Sequence, residues 1–538
     1  MPQILRQAEE ALEEGDFPQA LALLAKHLQA NPVDIRALSL KCHAEIGLTK
    51  FDTAFATAKK IGEIYPDSFE FHASMGAVLT DQLSSSKEIG TVHRAIQHME
   101  RAIMIANSRS ELIPSERSGL HYNLANAKHH LYLYRRATPG SSSRDILETH
   151  IDAIAEFDIA LKANSANVEA WVNKGNLLDE AGRYVESLDC YMEALRRNPK
   201  HSMALGNRGL ALAALALRLP KKYQTPCLRE AGFFLKAGLA KGEFGERYAN
   251  DPRLKATIDS ILKLDRFDNA DLFVSHLMEH VRPPQAFPRT LGAVKTSDLQ
   301  QFAEAVVRLS GLRLAFGEDL LLQSPLPEDW VDAPLFLSGV RSLGSEQRLF
   351  LVSLIDRYRT ARNLLVLALS EVAEFEVLSR PDSLGFPTFS MNGEILKDSL
   401  KTSVDLLDSV AYFLLGVAGL GFERVTFSGP NSLFFKPSFL DDNRDNQQLL
   451  ALASLSLEVS RGEYRWLNGF RNARTHEYLL FRADNEPIEH PLMADEYHFV
   501  GVEEFIQRSV QALRIARAAI LYTILYVLSL DDEEEALD

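Results

Sequence analysis

A chain of 538 residues is too long for one hydrophobic core and points to two to four domains, at about 100–200 residues each. With 58 Lys and Arg against 73 Asp and Glu, the net charge of -15 excludes the broad basic footprint of a protein that coats nucleic acid, so any such contact is local. Three cysteines, Cys42, Cys190 and Cys227, with no CxxC pair exclude a disulfide framework and a thiolate zinc site, and a reducing cytoplasm fits.

The first residues, "MPQILRQAEEALEEG", are acidic where a secretory signal needs a basic start and an apolar run, so no signal peptide is expected. Laid on itself at an offset of about 34 residues, the chain brings Phe17 onto Phe51, Ala20 onto Ala54 and Pro32 onto Pro66. The pattern returns in "VEAWVNKGNLLDEAGRYVESLDCYMEALRRNP", where Trp171, Gly175, Gly182, Tyr184, Tyr191, Ala194 and Pro199 supply the recurring aromatic, small and helix-ending residues. These positions resemble the tetratricopeptide (TPR) repeat. Each unit is a helical hairpin: small residues let two helices cross closely, and proline ends the second. One hairpin cannot bury its own apolar face, so neighbours must stack. About six units fill the array, assigned to residues 1–242, and the stretches "LSSSKEIGTVH" and "RRATPGSSSRD" are expected to be exposed loops inserted within it.

The first helix of each hairpin lines the groove of such an array. Asn123, Asn173 and Asn207 share one equivalent position in successive units, and Asn126 and Asn176 share another. An amide both donates and accepts, so a ladder of them can hold the backbone of an extended peptide whatever its sequence. A protein or peptide partner in the groove is the expectation; asparagine is also simply common at these positions in TPR sequences.

Residues 243–344 read as a packed helical connector broken by "RPPQAFPRT" and "LLLQSPLPEDW". Within it, "SHLMEH" has the H-x-x-E-H order of the inverted zinc peptidases: His276 and His280 lie four apart on one helical face, with Glu279 placed as a general base and Glu318 or Glu328 as third ligand. The competing reading is an exposed helix end before Pro283 and Pro284. That reading is preferred, and no metal or cofactor is assigned. No G-x-x-x-x-G-K-[ST] loop occurs, and the glycines of "LLGVAGLGF" follow an apolar helix rather than a strand, so nucleotide-binding fingerprints are absent.

From Ser345 to residue 530 the chain reads as long apolar helices, ending in "NGFRNARTHEYLLF" and "VEEFIQRSVQALRIARAAILYTILYVLSL". In the last, Ile506, Val510, Leu513, Ile520, Ile524 and Val527 form a core-facing stripe. Its apolar run, Ala518 to Leu530, is shorter than the ~18–20 residues of a membrane span and reads as a buried helix, with no membrane contact. "GFERVTFSGPNSLFFKPSFLDDNRDN" reads as an irregular insertion able to form a flap near a site, and residues 531–538, "DDEEEALD", as a disordered acidic tail. The fold class is all-α: a TPR-like solenoid followed by a helical bundle.

Within this bundle, Arg471-Asn472-Ala473-Arg474-Thr475-His476 resembles the R-N-x-x-x-H motif of the HEPN superfamily, helical domains found as ribonucleases in bacterial toxins, anti-phage systems and RNA-guided effectors. The resemblance implies a metal-independent endoribonuclease, an RNA substrate and a defence or toxin role. His476 can shuttle protons near neutral pH, Arg471 can hold a phosphate in its planar fork, and Asn472, four residues from His476, can orient the imidazole. On an ideal helix Arg471 and His476 stand about 140° apart. One helix makes a poor complete site, and HEPN ribonucleases resolve this by dimerising, so a homodimer or higher oligomer is implied. Arg461, Arg465 and Arg474, interleaved with Tyr464 and Trp466, suit RNA contact by phosphate pairing and base stacking. Asp405 and Asp408 are candidate partners for Arg471 or Arg474. The alternatives are a TPR scaffold whose HEPN domain only dimerises, in which these arginines form a solvated, ion-paired face, and the zinc peptidase above.

Overall fold

The computed structural model describes residues 3–83, 88–109, 113–240, 242–264, 270, 272, 299–314, 340, 342–370, 391–419, 425–429, 431–468, 478–482 and 497–537. The chain divides into two compact units, Met1–Leu177 and Leu178–Asp538. Among the described residues both are helical, apart from one short strand pair and an isolated bridge, Thr426 to Ser432, in the second.

The first unit is a run of hairpins: α1 (Gln3–Glu13) with α2 (Phe17–Ala30), α3 (Ile35–Gly47) with α4 (Phe51–Ile64), α5 (Phe69–Gln82) with α6 (Ile89–Arg109), and α7 (Pro114–Ala137) with α8 (Ser143–Ala163). The helix α9 (Val168–Glu180) follows. Each hairpin also packs on the next, α2 on α3, α4 on α5 and α6 on α7. The starts are set locally: Asp16, Asp34, Ser68 and Ser142 each accept a backbone N–H of the first turn. The recurring small residues are the crossing points, since Ala20, Ala37, Ala44, Ala54 and Ala58 are all fully buried. A Cβ on Gly47 would sit 2.5 Å from the Phe17 ring, which is why no larger residue fits.

The insertion "RRATPGSSSRD" is mostly not a loop. Arg135, Arg136 and Ala137 extend α7, and Ser143, Arg144 and Asp145 begin α8, so the insertion lengthens both helices to 24 and 21 residues. In "LSSSKEIGTVH", residues 89–93 likewise belong to α6, while residues 84–87 lie outside the described residues. Extending a helix that is already nucleated adds a hydrogen bond per residue, which a loop does not.

The second unit opens with α10 (Tyr184–Arg197), α11 (Ser202–Ala216), α12 (Lys221–Leu239), α13 (Glu243–Asn250) and α14 (Pro252–Leu262). Next come α15 (Leu299–Leu309), α16 (Ser345–Leu369), α17 (Met391–Val417), the short α18 (Pro437–Asp442), α19 (Gln447–Arg461), strands β1 (Tyr478–Arg482) and β2 (Tyr497–Gly501), and α20 (Val502–Leu537). The helix α16 packs on α17, and both pack on α20, which also carries α19.

The last helix is buried more widely than a stripe. Leu513, Ile515, Ala516, Ala519, Leu521 and Leu525 are buried alongside Val510, Ile520, Ile524 and Val527, whereas Ile506 is half-buried. A helix apolar all round is the centre of its domain. By length and composition Glu503–Asp531 is long and apolar enough to cross a membrane, contrary to the reading of the shorter run, but 72% of its apolar window is buried inside the protein. It also continues to Leu537 through the acidic residues expected to form a disordered tail. Ala, Leu and Glu are good helix formers extending an established helix.

The insertion after α17 is packed rather than flap-like where it is described. Phe427, Phe434 and Phe439 are buried in successive edge-to-face contacts, at ring separations of 5.6 and 6.3 Å. Ser432 and Ser456 both donate to the Phe427 carbonyl oxygen, at 2.7 and 2.5 Å.

Candidate functional site

The segment that leads into Arg471–His476 is built from α19. Asn446 caps it through Leu449 N at 3.0 Å, and every residue from Gln448 to Val459 is buried except Leu450. The helix stops at Gly462, whose N–H reaches the Glu458 carbonyl at 2.8 Å. A Cβ on Gly462 would lie 3.0 Å from that oxygen and 2.8 Å from Glu458 Cγ, so the close approach calls for glycine. A 3-10 turn, Glu463–Arg465, and helical residues 466–468 follow.

Two tethers hold this turn. Asn468 Nδ2 donates to the Val459 carbonyl at 3.0 Å, and Ser428 Oγ lies 3.2 Å from Asn468 Oδ1. Gly429 N donates to Ser460 Oγ at 3.0 Å, tying the insertion to the end of α19.

Of the proposed RNA-binding residues, Arg461 and Arg465 are exposed, and Tyr464 and Trp466 are half-buried. The guanidinium of Arg508, from α20, lies over the Trp466 ring at 5.2 Å and is paired with Glu504. One face of that indole is therefore occupied. Arg471, Asn472, Arg474 and His476 lie outside the described residues, as do Gly469 and Phe470. Asp408 accepts Phe427 N at 2.9 Å, supporting the insertion, and its suggested pairing with Arg471 or Arg474 falls on undescribed residues.

The helix expected to run through "EYLLF" does not. Tyr478–Arg482 is a strand, paired in parallel with Tyr497–Gly501 from Tyr478 opposite Tyr497 to Arg482 opposite Gly501. Aromatic and branched side chains favour the pleated surface once a partner strand is present, and that partner is remote in sequence.

Residues at the start of the hairpin helix α10 also bond to α19. Arg183, 1% exposed, donates from Nη1 to Glu458 Oε2 at 2.5 Å and to Ser454 Oγ at 3.3 Å, and from Nη2 to Glu186 Oε1 at 2.7 Å. Burial opposes the charge, but Glu186 and Glu458 outweigh it and hold the guanidinium well above its ordinary pKa. Tyr522 of α20 donates to Glu186 and accepts Val185 N at 3.2 Å; burial, with Glu186 beside it, pushes the phenol well above its usual range. At the start of α19, Gln447 Oε1 accepts from Tyr184 at 3.0 Å and from Arg218 Nη2 at 2.8 Å. Sequence reading missed this network. Its signal was Glu458 inside the apolar "LASLSLEVS", since a buried carboxylate on such a helix requires a cation.

In the first unit, Asn173 Nδ2 donates to Tyr122 OH and Asn126 Oδ1, both at 3.0 Å, and Asn176 Nδ2 lies 3.5 Å from Asn173 Oδ1. Three of the five asparagines thus bond to one another across α7 and α9. Asn123 is half-buried, and Asn207, in the second unit, is 6% exposed within α11. Nearby in α7 and α8, Glu156 pairs with His121 at 2.6 Å and Lys128 at 2.7 Å; burial raises its carboxyl, yet these partners bring it below the usual value.

The three cysteines are buried and form no disulfide, and burial pushes the Cys42 thiol up to about 12, far from a reactive thiolate. His276, Glu279, His280, Glu318 and Glu328 lie outside the described residues. Among the described residues no group of three His, Cys, Asp or Glu side chains is arranged to hold a metal ion.

The chain carries a tetratricopeptide repeat and, in its C-terminal helical bundle, a HEPN-like domain. In particular, residues 347–529 match the LA2681-like HEPN family, and residues 168–201 match the tetratricopeptide repeat. Among solved structures, the thermophilic TPR protein TTC0263 of Thermus thermophilus is 18% identical, covering 39% of this chain and 97% of its own, with a TM-score of 0.30. MamA is 19% identical, covering 39% of this chain and 97% of its own, with a TM-score of 0.26. YrrB, a TPR protein with an unusual peptide-binding site, is 17% identical, covering 40% of this chain and 95% of its own, with a TM-score of 0.27. No curated protein matches the chain.

Proposed function

We propose that this protein is a metal-independent endoribonuclease whose HEPN domain works as a homodimer and whose TPR groove takes a regulatory protein or peptide. The observation that carries the reading is Arg471-Asn472 followed by His476 within the segment that matches the HEPN family. The ribose 2′-hydroxyl attacks the adjacent phosphorus while a base removes its proton. The bond to the 5′-oxygen breaks as an acid protonates that oxygen, leaving a 2′,3′-cyclic phosphate and a 5′-hydroxyl. His476 serves as the proton shuttle, two copies dividing the base and acid roles, with Arg471 on the phosphate and Asn472 orienting the imidazole. Arg461 at the end of α19, with Arg465 and Tyr464 on the turn after it, supplies charge and stacking surface for single-stranded RNA. Buried thiols outside any disulfide fit a reducing cytoplasm, and a toxin or anti-phage role extends the family analogy.

Incubating single-stranded RNA with the wild-type chain and with His476→Ala tests this. The expectation is cyclic-phosphate products whose rate of formation falls by a factor of about 10²–10⁴ in the variant. Cleavage unchanged in His476→Ala would sink the assignment. A second reading, a TPR scaffold with a HEPN dimerisation domain, is favoured by the occupied face of Trp466, which a stacking platform would leave open. It predicts a dimer and no cleavage by wild type under any trigger.

A further inference from the structure

We infer that Arg183, at the start of the repeat hairpin helix α10, is a positioning residue for residues 462–468, the turn that follows α19 and precedes Arg471–His476 in the sequence, acting through Glu458 of α19. The consequence for cleavage rests on the nuclease reading above; the coupling itself rests on geometry.

The helix α19 is gripped at both ends by repeat residues. Gln447 at its first turn receives Tyr184 and Arg218, and Ser454 and Glu458 in its last two turns receive Arg183. Glu458 also takes the Gly462 N–H, the C-cap bond of the helix, on its carbonyl. The neighbouring residues, Val459 and Ser460, hold the following turn through Asn468 and the insertion loop through Gly429. Arg183 therefore holds the last turns of α19, from which residues 462–468 depart. Glu186 closes the network by accepting from both Arg183 and Tyr522, so α10, α19 and α20 share one set of bonds. The pair is cut off from water, with side-chain exposures of 1% and 2%, so neither solvent nor a mobile counter-ion can replace a lost partner without rearrangement. The last repeat hairpins serve as part of the scaffold of the HEPN domain.

Hydrogen exchange on the full-length chain separates this coupling from the nuclease question. In Arg183→Met, amides of residues 460–468 are expected to exchange at least about tenfold faster, while those of α3 and α4 in the other unit keep wild-type protection. If RNA is cleaved, kcat should fall about tenfold with KM little changed, and Arg183→Lys should restore most of both properties. Wild-type exchange at 460–468 in a folded Arg183→Met protein would overturn the inference. Should that variant fail to fold, Glu458→Gln, which keeps the shape and a hydrogen bond, decides by the same readout: faster exchange sustains the coupling and unchanged exchange refutes it. A wild-type protein that cuts no RNA would remove the nuclease reading and leave the exchange result standing.

Discussion

Gly182 and Gln447 approach so closely that a Cβ on the glycine would lie 2.6 Å from Gln447 Cγ and 2.9 Å from its carbonyl oxygen. Gly182 also has φ of 77°, in the left-handed region. A glycine that the TPR pattern supplies as a small residue therefore also admits Gln447, the first residue of α19. Gly182→Ala should lower the stability of the second unit by about 1–3 kcal/mol, combining backbone strain with displacement of α19. Thermal unfolding measures this, and a melting temperature equal to wild type would contradict it.

The buried pair should show strong non-additivity. Removing Arg183 leaves Glu458 stranded, at a cost of about 3–5 kcal/mol, whereas removing Glu458 leaves Arg183 its second partner, Glu186. Replacing both by methionine removes both charges at similar volume. The double variant should be more stable than Arg183→Met alone, in which Glu458 is left without its cation, as read in a denaturant-based double-mutant cycle.

Asp179 is a built-in liability. Burial, then Glu180, raises its carboxyl to about 7 from an ordinary 3.8, and its Oδ1 is buried without a hydrogen-bond partner. Between those pH values the unfolded chain releases a proton that the folded chain keeps, so this group's contribution falls as pH rises from 3.8 to about 7 and is level above. Asp179→Asn should flatten that fall and stabilise the protein by about 1–3 kcal/mol at pH 8. Chemical denaturation across pH would show the flattening, and parallel pH profiles would exclude it.

His98 acts in the opposite direction. Its Nδ1 lies 3.0 Å from His72 Nδ1; burial first, then His72 and Arg94, lowers its pKa from 6.5 to about 4. As pH falls through that interval the unfolded chain gains a proton the folded chain refuses, so stability present above 6.5 is lost toward 4. After allowance for partial exposure the loss is about 1–2 kcal/mol, and His98→Gln should reduce it. Unfolding followed between pH 7 and 4 tests this; an unchanged acid limb would remove His98 as the cause.

Local chemistry carried most of the fold. Asp16, Asp34 and Ser68 cap the helices they precede, and the alanines at the crossings are buried, because caps and helical periodicity act over three or four residues. The R-N-x-x-x-H resemblance was legible for a similar reason: six neighbouring residues spell it. Tyr478–Arg482 was not legible, since strand pairing there depends on Tyr497–Gly501, whose contribution no local window contains. Nor was the all-round burial of α20, which reflects three helices packing on it from different sides. The bond from Arg183 to Glu458 joins residues 275 apart, and neither side chain alone says that the other is there. Repeat hairpins and a HEPN-like helical segment follow from short-range periodicity and motif; that the last hairpins brace the helix leading to the motif follows from desolvation, which forces distant charges to find one another as the chain closes.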